Sequence, residues 1–392
     1  MRQTVAMTAL VIFLLMAMAT VTQKTSAQSS GSYIPQPDLL RATILSNGTI
    51  IPDSVNITRN GNTYLLSADL DGYIVIEQTN CIFEGQGHIV KGIYGPIPVQ
   101  GSSQSDELTG ITVLSTVVGG GGIIFFGYLK SNNFVIANNT INSGTGIDCS
   151  GYGNLLANNS INKGRGISCG GNGNIVSGNN LQGCDQGVNI VPYGISLSGI
   201  NNKIFANTIV GTKGYAIDLL RVTSYPSNII AGNQIANNQV GVHTEYAISQ
   251  GGAEGNLIYK NNFVGNGQNV YNEAIVTTAV SVNFWDDGKD GNYWSNYNGQ
   301  GTYVVDQSNI DNHPLSSPVD ISKLTIDSLS SIPSPTPVPT PTSSALPIAT
   351  SSPTPSPSST PTIPESPSWI ILILFIATTI PVLLVYFKKR KH

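Results

Sequence analysis

An asparagine phrase recurs six times in this chain and limits what it can fold into. It reads Asn154-Leu-Leu-Ala-Asn-Asn159-Ser-Ile161, and returns as Asn174-Ile-Val-Ser-Gly-Asn179-Asn-Leu181 and Asn202-Lys-Ile-Phe-Ala-Asn207-Thr-Ile209. Later copies are Asn228-Ile-Ile-Ala-Gly-Asn233-Gln-Ile235 and Asn256-Leu-Ile-Tyr-Lys-Asn261-Asn-Phe263. An earlier one, Phe134-Val-Ile-Ala-Asn-Asn139-Thr-Ile141, lacks only the leading Asn. The starts are separated by 20, 20, 28, 26 and 28 residues. A phrase repeating at such a period marks a solenoid, whose units are too small to own a core and bury one only by stacking.

No copy holds an apolar run long enough for a helix. A glycine and a short alternating strand follow most copies, as in Gly146-Ile-Asp-Cys149, Gly166-Ile-Ser-Cys169, Gly187-Val-Asn-Ile190 and Gly241-Val-His-Thr244. Short strands between Asn and Gly turns predict an all-β fold, the coils of a parallel β-helix. The leucine frame of a leucine-rich repeat is absent. The sixth residue of the phrase (Asn139, Asn159, Asn179, Asn207, Asn233 and Asn261) is expected to stack coil upon coil as a structural amide ladder.

The two ends predict a topology. Met1-Arg2, an apolar run to about Val21 and Thr25-Ser-Ala27 read as a signal peptide over 1–27. Residues 331–367 are Pro-, Ser- and Thr-rich, the composition of an extended stalk. Residues 368–387 are apolar and uncharged over a length that spans a bilayer, and the basic tail 388–392 follows, which places that end in the cytoplasm. The expectation is a cell-surface, single-pass protein with its repeats outside. Between the predicted cleavage and the membrane stand 12 Lys and Arg against 22 Asp and Glu, a charge of −10. That charge argues against nucleic acid as a partner and suits neutral glycans, cations or protein.

Within the ectodomain, residues 28–60 are assigned to a cap over the first coil, because a bare strand edge invites aggregation. Repeats are expected over 61–282 and an aromatic C-terminal cap over 283–330. Both ectodomain tryptophans, Trp285 and Trp294, lie in that cap with Tyr293 and Tyr297. They are expected to cover the last coil or, alternatively, to offer a sugar ring a platform.

The stretch from Ile74-Val-Ile-Glu77 into Glu84-Gly-Gln-Gly87, the Asn phrase, Asn283 to Tyr297 and Asp311-Asn-His-Pro-Leu315 together resemble the NosD-type β-helix proteins, especially membrane-anchored archaeal ones. The likeness spans roughly residues 40–320. It implies a right-handed parallel β-helix of pectin-lyase-like architecture, of a carbohydrate-binding and sugar-hydrolase type. The namesake proteins assist copper-site assembly in nitrous oxide reductase. This chain departs from the pattern at Glu84, where the family usually has Asp, and at Thr302-Tyr-Val-Val-Asp306, where an Asp/Gly-rich segment is usual.

Three chemistries are candidates. Period-two alternation sends Cys149 and Cys169 inward on neighbouring coils about 4.8 Å apart, as a buried pair of thiols or a disulfide. The residue between the inward pair faces out, giving a column of Asp148, Ser168, Asn189, Asp218 and His243. Asp148 and Asn189 are candidate ligand contacts there. Asp218 and Glu245 come out about 8 Å apart, within the window for an inverting glycosidase pair, with His243 and Arg221 beside them. The closely spaced carboxylates Asp286, Asp287 and Asp290 are candidates for calcium, although the spacing is not that of an EF-hand. Copper is not expected: all four Met (1, 7, 16 and 18) precede the cleavage point and His88, His243 and His313 are far apart. Sequons stand at Asn47, Asn56, Asn138 and Asn158. The leading functional expectation is non-catalytic display or binding of a glycan or envelope component. A glycan-cleaving enzyme and a copper-assembly accessory are the alternatives.

Overall fold

The computed structural model describes residues 40–96, 108–125, 131–190, 199–219, 228–247, 251–252, 254–274 and 281–330. The expected signal peptide, stalk, membrane helix and basic tail lie outside the described residues. Among the described residues no helix is long and apolar enough to cross a membrane. Apart from two one-turn 3-10 helices, Ile321–Lys323 and Ile326–Ser328, the described regular structure is all strand.

Each phrase builds two sides of a three-sided coil and the glycine-led strand builds the third. In the coil that starts at Asn202 these are Lys203–Phe205, Thr208–Val210 and Tyr215–Leu219. Equivalent sides of successive coils pair in parallel and in register. Ile136, Leu156, Val176, Ile204, Ile230 and Ile258 form one column. Ile141, Ile161, Leu181, Ile209, Ile235 and Phe263 form a second, and Ile147, Ile167, Val188, Ile217 and Val242 a third. All are fully buried in one core that runs from Ala42 to Trp294. At about 1.5–3 kcal/mol for each large aliphatic side chain, this stacking is the main force holding the coils together. No coil could bury these residues alone. The chain is a parallel β-helix.

In the five copies that begin with Asn, the third and eighth positions supply this core, and in the first copy Phe134 joins them. The fifth and sixth make the corner between the first two sides. The fifth is left-handed on seven successive coils, at Ser115, Asn138, Asn158, Gly178, Ala206, Gly232 and Lys260, with φ from 46° to 65°. That conformation suits Asn and Gly and strains Ala and Lys. It also turns Asn138 and Asn158 out to solvent while the next residue of each pair points in.

The inward Asn139, Asn159, Asn179, Asn207, Asn233 and Asn261 form a buried ladder. Each Oδ1 from Asn159 onward accepts the backbone N–H of its counterpart one coil earlier at 2.9–3.0 Å or 3.1 Å. Each Nδ2 donates to the next Oδ1 and to a backbone carbonyl, as when Asn207 reaches Asn233 Oδ1 and the Val176 carbonyl, both at 2.9 Å. The ladder continues into the cap through Asn292 and ends on Asp311 Oδ2. A second ladder, not anticipated from the sequence, uses the first position of the phrase. It runs through Asn154, Asn174, Asn202, Asn228 and Asn256 to Asn283 and Asn309, with N–H to Oδ1 distances of 2.8–3.0 Å.

The solenoid starts earlier than expected. Leu40–Ile44 pairs in parallel with Leu70–Ile76, so it belongs to the coils rather than to a separate cap over 28–60. The antiparallel pair Ile57–Asn60 and Thr63–Leu66 closes the edge of the first side. At the other end Phe284 bridges to Leu257 and Tyr293–Trp294 pairs in parallel with Asn262–Phe263. The aromatic stretch thus begins as one more coil before it closes the core.

Candidate functional site

The outward column is where chemistry was expected, and the parallel register places it as derived: Asp148 beside Ser168, Ser168 beside Asn189, Asn189 beside Asp218 and Asp218 beside His243. Its C-terminal part does not form an open groove. Asp218, His243 and Glu245 are 5%, 2% and 8% exposed. The reason lies in the tyrosines of the flanking strands. The His243 ring stacks on Tyr215 at 4.0 Å between centroids and on Tyr271 at 5.4 Å. Arg221 and the side chain of Asn189 lie outside the described residues.

His243 is held from one side by Asp218, whose Oδ1 is 2.7 Å from Nδ1. Its Nε2 lies 3.3 Å from Glu273 Oε2, yet the two are not aligned for a hydrogen bond, and this buried nitrogen makes none among the described residues. Glu273 is 41% exposed and stands in register beside Glu245. Asp218 is engaged by the imidazole of its register neighbour His243, and the register neighbour of Glu245 on the next coil is Glu273. Sequence reasoning missed Glu273, Tyr215 and Tyr271. A signal existed, since Gln268–Ala274 starts 12 residues after Asn256, as Val240 does after Asn228.

Lower in the column, Asp148 is half-buried with its Oδ1 sealed off from any partner among the described residues. Burial pushes its carboxyl up to about 6, against the opposing pull of the Arg165 charge and a Ser168 hydrogen bond. Behind it, Cys149 and Cys169 pair in register as fully buried free thiols. Burial pushes Cys169 up to about 12 and Cys149 well above its ordinary value. Cys81 and Cys184 are also buried and free, each pushed up to about 11 by burial.

The aromatic cluster cannot serve as a sugar platform through its tryptophans. Trp285 and Trp294 are each 1% exposed. Trp294 extends the inward column, stacked on Phe263 at 4.3 Å and on Tyr303 at 4.2 Å. Its Nε1 donates to Asp311 Oδ2 at 2.8 Å and that of Trp285 donates to Asn309 Oδ1 at 3.0 Å, so both rings seal the core where the ladders end. Tyr293 and Tyr297 are half-buried, and the Tyr297 hydroxyl donates to the Gly301 carbonyl. Burial raises the Asp311 carboxyl although Asn292, Trp294 and His313 donate to it. A methyl group on Gly291 would lie 1.8 Å from Asp311 Oδ1, so that approach requires glycine.

The calcium expectation is also corrected. Asp286 accepts from Gly288, Asn312 and His313, Asp287 from Lys289, Asp290 and Ser330, and Asp290 pairs with Lys260 at 3.1 Å. The three carboxylates serve different partners, and no group of three His, Cys, Asp or Glu that could hold a metal occurs among the described residues. The residues present do not fit copper either. His88, His243 and His313 are each paired with a different aspartate, Asp69, Asp218 and Asp286, and the thiols are buried.

Two clefts open elsewhere. One, of about 390 Å³, lies between the Gly265–Val270 segment and the cap residues Ser295, Asn296, Tyr303 and Val305. The other, of about 520 Å³, lies at the opposite end, among Asp69, Asp71, Tyr73, Lys91 and Gly119 to Gly121.

Comparison with known proteins adds a family. No curated protein matches the sequence. Among solved structures, a point mutant of the periplasmic alginate epimerase AlgG aligns over 58% of this chain and 72% of its own, at 13% identity and a TM-score of 0.27. A likeness that slight bears on neither fold nor function. The family described as periplasmic copper-binding protein (NosD) matches residues 79–299, from the coil of Cys81 to the cap, which agrees with an extracytoplasmic location. On that match, covering more than half of its length, the chain belongs to the NosD family.

Proposed function

We propose that this protein is an extracytoplasmic β-helix that recognises a glycan or another envelope component without turning it over. The stalk and C-terminal apolar segment would display it at the cell surface. The observation that carries this reading is the state of the acid–base candidates: Asp218, His243 and Glu245 are buried, with His243 clamped between two tyrosines. A general acid or base must come within hydrogen-bond reach of the group it serves. The test is incubation of the full-length protein with a panel of soluble polysaccharides, measuring binding and reducing-end release in parallel. Binding without release is expected. Release that disappears in His243→Gln would overturn the reading.

A second reading, a polysaccharide hydrolase or lyase, draws support from one feature. Asp218 holds Nδ1 of His243 at 2.7 Å, the arrangement that leaves Nε2 as a base, and the partly exposed Glu273 stands beside it. The same assay decides between the two. A copper-assembly role has no ligand set to support it among the described residues. No step is assigned to a metal.

A further inference from the structure

The cleft at the C-terminal end lies where the stacking of coils stops. The ladder through the first position of the phrase is terminated by Asn309 and the ladder through the sixth by Asp311, both supplied by the cap. A third, shorter ladder is not. Thr212 N–H donates to Asn238 Oδ1 at 2.9 Å, and Asn238 N–H donates to Asn266 Oδ1 at 3.0 Å. Asn266 is its last member. Among the described residues, no Oδ1 of a further coil receives the Asn266 N–H, and this open end is in the cleft. The adjacent strand Gln268–Ala274 pairs only with Val240–Ala247, so its outer edge is also without a neighbouring strand among the described residues.

The lining states what could take the vacant place. Its polar side chains are Asn266, Gln268, Asn269, Ser295, Asn296 and Tyr303, over Val270 and Val305, with no carboxylate, imidazole, amine or guanidinium among them. Amides and hydroxyls both donate and accept, and so do the hydroxyl groups of a sugar. An anion would call for concentrated positive charge or donors, and a cation for carboxylates. The groups are also preorganised. Tyr303 is stacked on Trp294, and its hydroxyl is bridged by Asn269 Nδ2 at 3.3 Å and Asn296 Oδ1 at 3.2 Å, an arrangement that lowers the ordering cost of binding.

We propose that this cleft is a binding site for an uncharged sugar unit of a glycan, which takes the position of the missing next coil and satisfies the open ladder. The proposal rests on the reading of the protein as a binder and gives that reading a site and a ligand class. It does not use the His243 cluster.

The test titrates the full-length protein with neutral hexasaccharides of glucose, mannose, galactose and N-acetylglucosamine, a uronate hexasaccharide of equal length and an extended decapeptide. Wild type, Asn296→Ala, Gln268→Ala and Asp218→Asn are compared, with the melting temperature of each recorded. At least one neutral sugar is expected to bind, tenfold or more weakly in Asn296→Ala and Gln268→Ala at unchanged melting temperature, and normally in Asp218→Asn. Neutral-sugar binding unchanged in both cleft variants overturns the cleft and leaves the protein a binder. Turnover by the wild type together with tenfold loss in the cleft variants overturns the non-catalytic reading and keeps the cleft. Preference for the uronate, for the peptide as an added strand, or for none of the probes overturns the proposal.

Discussion

Asp148 is a residue that the fold holds at a disadvantage. An unfolded aspartate titrates near 3.8, while burial among the coils pushes this one up to about 6. The folded state therefore binds the proton more tightly, so this residue's contribution to stability is full below about pH 4 and is lost as pH rises through 6. Asp148→Asn keeps a side chain that can face Ser168 and removes the charge. It is expected to raise the melting temperature by a few degrees at pH 7.5 and to change it little at pH 4.5. A calorimetric melt at both values checks this, and an equal effect at both would show that ionisation is not the cause. The alternation rule placed this side chain on the outward column from sequence alone. It could not give its burial, which depends on what packs beside it. The same limit applies to His243: its position in the column was legible, but the tyrosine stack that hides it comes from residues 28 positions before and after.

At the scale of the element, the corner of the coil sets the fold. Its fifth residue turns the chain and its sixth stitches the coils. Asn207→Ala would strip an acceptor from the Asn179 N–H and Nδ2, and a donor from the Val176 carbonyl, all inside the core. A buried polar group left unsatisfied costs about 1–3 kcal/mol, so a loss of about 3 kcal/mol or more is expected. Asn158→Ala, on the exposed left-handed position, should cost about 1–2 kcal/mol through backbone strain alone. Urea unfolding with matched m-values separates the two. Equal destabilisation would mean the ladder adds nothing beyond the turn. The sixth-position Asn was singled out because an inward amide in every coil needs a partner. The first-position ladder was nearly as regular in sequence, broken only at Phe134, and it was missed because a residue at the edge of a strand has no face that period-two alternation can assign.

Over the described residues as a whole, the apolar interior is not the only surface that must be covered. Phe205, Ala231, Leu257 and Tyr259 form an outward apolar patch on the first side of the last coils, with Leu324 and Leu329 packed on it. The segment from Val319 to Ser330 is tied down by Asn262 on both the N–H and the carbonyl of Val319 and by the Tyr259 hydroxyl on Ser330 N–H. A Cβ at Gly232 would lie 2.5 Å from the end of the Leu324 side chain, so the strap packs close against the corner there. A chain ending at Pro318 is expected to stay folded, lose about 1–3 kcal/mol and bind a hydrophobic dye that a chain ending at Ser330 excludes. Dye binding equal to that of the longer chain would show that the strap covers nothing. The end of the segment is fixed as well, since Ser330 Oγ donates to Asp287 beside the cap.

Sequence alone determined the solenoid, the period of its coils and the inward place of the sixth-position Asn, because a repeated unit meets the same neighbour at every step and period-two alternation does the rest. It placed Cys149 beside Cys169 and Asp218 beside His243 for the same reason. Only the tertiary structure decided what the ends and the outside do. The tryptophans seal the core, the acidic run in the cap serves separate partners, Asp218, His243 and Glu245 are covered, and a cleft opens where one ladder finds no next coil among the described residues. These depend on contacts where the repeat breaks, and a period carries no information about the place where it stops.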